Sequence, residues 1–132
     1  MEVGEISKQC AYDISMRDYL LGRMEKGDTI VAGVFHRPDS NGHLAGFANE
    51  NPHYVNAVRN ADLYLCDLLD AVEQREKQFN ENGLSSLRAD HGGSKQGHGK
   101  QVAEHRTIWM ACNYPVEQKY FGVHYNGFQE ER

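Results

Sequence analysis

Residues 51–83 read NPHYVNAVRNADLYLCDLLDAVEQREKQFNENG. The Asn51 side chain can accept hydrogen bonds from first-turn amides, and Pro52 suits the first helical position because its missing N–H is not needed there. No breaker follows until Asn82-Gly83, so the stretch predicts a helix of about thirty residues, roughly 45 Å long at 1.5 Å per residue. A compact chain of this size has a radius of gyration of only ~14 Å, so the helix should overhang one subunit. Between Ala61 and Val72 the polar residues Asp62, Asp67 and Asp70 share one arc. Leu63, Leu65, Cys66, Leu68, Leu69 and Val72 spread over the rest, an apolar arc wider than one core needs. Homo-oligomerisation through the 52–82 helix is therefore expected.

Upstream, Ile6, Cys10, Ile14, Leu20, Leu21 and Met24 recur at helical spacing before Lys26-Gly27-Asp28, which predicts a first helix from about Ser7 to Glu25. Thr29–Phe35 (TIVAGVF) is a continuous apolar run and reads as a strand covered on both faces, at the centre of the fold. The segment from His36 to Asn51 is crowded with Pro, Gly, Asn and Asp and reads as a long loop. Downstream, residues 84–100 form a glycine-rich cationic loop with no place in a core. A third helix is expected over 101–113, turning Val102, Ile108, Trp109 and Cys112 inward and stopped by Pro115. Lys119–Tyr125 reads as an aromatic strand. The expected fold is a single α+β domain over 1–132. Its three helices pack on a small sheet that is completed or extended by oligomerisation, because two strands alone are marginal.

At 132 residues with 39% hydrophobic content, the chain has room for one core. A net charge of −5 argues against general nucleic-acid binding. No apolar run reaches membrane-spanning length, and the opening MEVGEISKQC lacks the segments of a secretory signal. Cys10, Cys66 and Cys112 lie far apart without a CxxC pair and read as reduced, buried thiols of a cytoplasmic protein.

Chemistry concentrates in the central loop. Gly92, Gly93, Gly97 and Gly99 let amides turn inward while Lys95 and Lys100 add charge, a combination that attracts anions. Gly99-Lys100 is followed by Gln101 rather than Ser or Thr, so this is no Walker A loop. Arg88, His91, Gly93, Lys95, His98, Gly99, Lys100, Arg106 and Tyr120 are the candidate ligand contacts, with Tyr120 as a stacking surface. His91, His98 and His105 are spaced seven and seven, whereas zinc sites show closer ligand pairs, so neither a metal nor another cofactor is expected.

The function these residues favour is a binding module for a small phosphate-bearing, nucleotide-type ligand; whether it is also an enzyme is left open, with the balance leaning against. A short acidic chain of this kind is similar in general character to the accessory proteins viruses use against host defences, where it would sequester a signalling molecule. One alternative is a histidine-dependent phosphodiesterase or nuclease using His98, His105 and Lys100. Another is an acidic protein–protein inhibitor presenting Asp67, Asp70, Glu73 and Glu76.

Overall fold

A computed structural model describes the backbone of residues 3–114 and the side chains of residues 11–114. The elements run α1 (Val3–Glu25), α2 (Arg37–Ala45), α3 (Pro52–Phe79), β1 (Ser86–Arg88), α4 (Ala103–Arg106) and β2 (Met110–Cys112). The architecture is α+β: α3 packs on α1 and α2, and β1 and β2 form a two-stranded antiparallel sheet. Its register pairs Ser86 with Cys112, Leu87 with Ala111 and Arg88 with Met110. Hydrogen bonds from Ala89 N to Trp109 O and from Asn113 N to Ser85 O carry the ladder one step past each end.

The long helix starts where the sequence places it. Asn51 Oδ1 accepts from the amides of His53 and Tyr54, and Pro52 follows at the first position. It ends three residues before the expected Asn-Gly stop, because Asn80 takes a left-handed conformation (φ 52°) that closes the helix. Leu65, Leu68 and Val72 are half-buried along it, whereas Leu63, Cys66 and Leu69 are exposed.

Four expectations need correction. Thr29–Phe35 is not a strand: it connects α1 to α2, and Ile30 and Val34 are 86% and 56% exposed. An apolar run makes a central strand only when neighbours pair with its backbone, and no described strand lies beside it. It lies instead against α1, where a Cβ at Gly33 would meet Met16 and Leu20. The expected 36–51 loop contains α2, with Pro38 in the first turn. The expected third helix shrinks to α4, after which the chain enters β2 and leaves Ile108 and Trp109 exposed. Cys66 is exposed and Cys112 half-buried, both as free thiols. The expected strand 119–125 lies outside the described residues.

Apolar burial is thin. Leu20 and Ala57 are the fully buried apolar residues among those described, and the larger share of deep burial is polar: Asp13, Asn41, Asn51 and His105. Buried polar groups are tolerated when their hydrogen bonds are made, and three of these hold α2. Asp13 on α1 accepts the amides of His36 (2.9 Å) and Arg37 (3.1 Å) at its start. Asn41 Nδ2 donates to Arg37 O within it. Asn51 Nδ2 donates to Asn41 O (2.9 Å) and Gly46 O (2.8 Å) at its end.

Candidate metal centre

Helix α2 brings Asp39 and His43, one turn apart, to the same face as the 91–98 loop. Two features press that loop onto the helix. Phe47 fills a cleft that exists because residues 42 and 93 are glycines: a Cβ on Gly42 would fall on the Phe47 ring, and one on Gly93 would lie 2.7 Å from Phe47 Cγ. Around the ring, Phe47 N donates to Lys95 O (2.7 Å) and Gln96 Nε2 to Leu44 O (3.4 Å).

The loop is also tied from behind by His105, which is buried. Lys100 N donates to His105 Nδ1 (3.0 Å), so the neutral ring carries its proton on Nε2 and donates it to Ser94 Oγ (2.8 Å). Gly92 N donates to His105 O. Ser94 and Gly97 exchange backbone hydrogen bonds, closing the turn in which Lys95 adopts φ 52°.

At the junction, three imidazoles converge on one carboxylate oxygen. Asp39 Oδ1 lies 3.4 Å from His43 Nε2, 3.4 Å from His98 Nε2 and 3.8 Å from His91 Nε2. His43 Nε2 and His98 Nε2 are 3.0 Å apart, and the His91 and His98 rings stack at 3.8 Å. Asp39, His91 and His98 offer donor atoms within 4.8 Å of one another. Asp39 Oδ1 is shielded from solvent yet accepts no hydrogen bond.

The tautomers follow from the outer contacts. His43 Nδ1 faces Gln96 O at 2.9 Å and His91 Nδ1 faces Gly92 O at 3.1 Å. A carbonyl oxygen only accepts, so both Nδ1 atoms are protonated, and the neutral rings direct Nε2 lone pairs at the cluster. A backbone carbonyl behind the ring is a common second contact of metal-bound histidine. In the metal-free protein, His98 Nε2–H can donate to His43 Nε2.

The spacing fits a cation. Donors placed tetrahedrally at 2.0–2.1 Å from one ion stand about 3.3–3.4 Å apart; Asp39 Oδ1 is 3.4 Å from His98 Nε2 and 3.8 Å from His91 Nε2, and these three residues form the mutually close donor group, with His43 Nε2 at its edge beside Asp39 and His98. Three imidazoles and one carboxylate suit zinc and its transition-metal neighbours, whereas magnesium and calcium take all-oxygen sites.

Of the residues expected to bind a ligand, the structure brings His91 and His98 together. Gly93 lies under Phe47, and Lys95, Gly99 and Lys100 are exposed on the loop. Arg88 is exposed on β1 and Arg106 ends α4. Tyr120 lies outside the described residues. Five loop amides, those of His91, Gly92, Ser94, Gly97 and Lys100, donate within the chain instead of opening toward a ligand. His105 does not join His98: both of its ring nitrogens are engaged inside the loop. Of the acidic set on α3, Asp67 pairs with Arg17, Glu73 with Lys77, and Glu76 accepts the Gly83 amide.

Sequence reasoning missed Asp39 and His43. The signal was present as Asp39-x-x-x-His43, a ligand pair one helical turn apart, but only once residues 37–45 are seen to be helical. Comparison with protein-family models, curated proteins and solved structures finds no match for this chain.

Proposed function

We propose that this chain is a metal-binding domain in which Asp39, His91 and His98 hold one zinc-class ion, with His43 at the edge of the cluster as the candidate fourth donor, and so fasten α2 to the 91–98 loop. The observation that carries this reading is Asp39 Oδ1, shielded and without a hydrogen bond, beside three imidazole Nε2 atoms at 3.4–3.8 Å. A desolvated carboxylate oxygen without a partner is costly, and a cation at the centre of the cluster would satisfy it. Closure of the site by His43 as a fourth donor would make the ion structural, since catalytic zinc keeps a position open.

The test is a Co²⁺ titration of tag-free, chelator-treated protein followed by visible absorption. One equivalent should bind and show the intense bands of tetrahedral coordination, and Zn²⁺ should displace it. Wild type that binds no more Co²⁺ than a His91→Ala/His98→Ala double variant rejects the reading.

Exposure of Lys95 and Lys100 on the loop that supplies two donors favours a second reading: a small phosphate-bearing ligand of nucleotide type docks at these ammonium groups beside the ion. Calorimetry with ATP, on wild type and Lys95→Ala/Lys100→Ala, tests it. Self-association through α3 belongs to the same proposal. Its support is the exposure of Val58, Leu63 and Leu69, and light scattering reads the mass. A reducing, cytoplasmic setting is consistent with free Cys66 and Cys112.

A further inference from the structure

The most deeply buried large side chain among the described residues is a carboxylate. Asp13 is 1% exposed, in the middle of α1, a depth at which an apolar residue would be buried without loss of hydration. Its oxygens are used on one target: Oδ1 accepts the His36 amide and Oδ2 the Arg37 amide, 23 and 24 residues away. These amides open α2, which carries the metal donor Asp39 and, one turn on, His43 beside it. The N-cap residue of α2, His36, makes no capping hydrogen bond with its own side chain, so the cap is supplied from another helix.

We infer that Asp13 is a positioning residue for the metal centre, setting the axial rotation of α2 and with it the direction of Asp39 and His43. This inference rests on the metal-binding reading and goes beyond it. A nine-residue helix has little stability of its own, and a two-oxygen grip on adjacent amides fixes rotation as well as position. A single hydrogen bond would leave α2 free to turn about it. The negative charge at the helix start also favours the helical state through the macrodipole.

The test compares Zn²⁺ affinity, by competition with a chromogenic chelator, in wild type, Asp13→Asn, Asp13→Ser and Leu20→Ala. Leu20→Ala controls for stability alone, because it removes a buried core side chain of the same helix, set against Gly33 and two turns from Asp13. Both Asp13 variants should keep wild-type helical circular dichroism, bind Zn²⁺ at least about tenfold more weakly, as outer-contact losses do, and shift the Co²⁺ absorption bands. Leu20→Ala should melt earlier but bind Zn²⁺ with wild-type affinity and unshifted bands. Wild-type affinity in both Asp13 variants overturns the inference, as does an equal loss in Leu20→Ala. Unfolding of both Asp13 variants overturns it too, because the carboxylate would then hold the whole chain and not α2. If wild type itself binds neither Zn²⁺ nor Co²⁺, the metal reading fails first and takes this role with it, an outcome the wild-type arm alone identifies.

Discussion

Asp39 and His105 show how residues of similar polarity serve opposite ends. His105 is saturated: one ring nitrogen accepts from Lys100 N, the other donates to Ser94 Oγ, and the side chain is buried. Replacing it with Ala leaves a buried amide and hydroxyl without their partner, so His105→Ala should cost about 2 kcal/mol, read from urea unfolding of the metal-free protein. Asp39 is the reverse case, with a shielded oxygen that has no hydrogen bond. At pH 8, above the ordinary imidazole range, Asp39→Asn should leave the metal-free protein as stable as wild type or up to about 1 kcal/mol more stable, as site residues often do when neutralised. The same variant should lose metal affinity by more than about tenfold. Of these residues, His91 and His98 were legible in the sequence as candidates, because a loop dense in glycine and histidine stands out. Their grouping was not: the even spacing of His91, His98 and His105 suggests one triad, whereas the fold turns His105 inward and substitutes His43 and Asp39 from 50 or so residues earlier.

Among the elements, α2 and α3 pack on each other and are also joined by one side chain that caps both. Asn51 caps the start of α3 with its oxygen and the end of α2 with its nitrogen. Asn51→Ala removes both, and a lost N-cap of about 1 kcal/mol together with two under-satisfied carbonyls predicts about 2–3 kcal/mol of destabilisation. Asn51→Ser keeps an oxygen for the cap and should recover roughly half of that in the same denaturation experiment. The cap at Asn51-Pro52 was legible because its chemistry is local. α2 was not, because its start is capped by Asp13 on α1 and its Gly42 makes room for the Phe47 ring, both facts outside the local pattern that make the segment look like a loop. The error at Thr29–Phe35 has the complementary cause: hydrophobicity without a pairing partner does not make a strand. β1 and β2 are three residues each, too short for periodicity to show.

At the scale of the whole molecule, the balance between core and polar connections sets the expected response to metal. With Leu20 and Ala57 as the fully buried apolar residues described, and Ile30, Leu63, Leu84 and Trp109 among those exposed, the packed interior among the described residues contributes little for their number. Polar caps and the cluster at Asp39 join α1, α2 and the 91–98 loop, so an ion there would tie segments that α3 alone does not bring together. Small domains with modest cores commonly depend on such a staple. An ion that binds only the folded state stabilises it by RT ln(1 + [M]/Kd), about 2.7 kcal/mol at one hundred times Kd. Free Zn²⁺ buffered at that level should therefore raise the unfolding free energy of wild type by about that amount, and EDTA should reverse it. His91→Ala/His98→Ala should show neither the rise nor the reversal, since it keeps α2, Phe47 and the caps but lacks two donors. If the double variant gains as much stability from Zn²⁺ as wild type, the ion acts elsewhere on the chain, and the convergence of imidazoles on Asp39 is not its site.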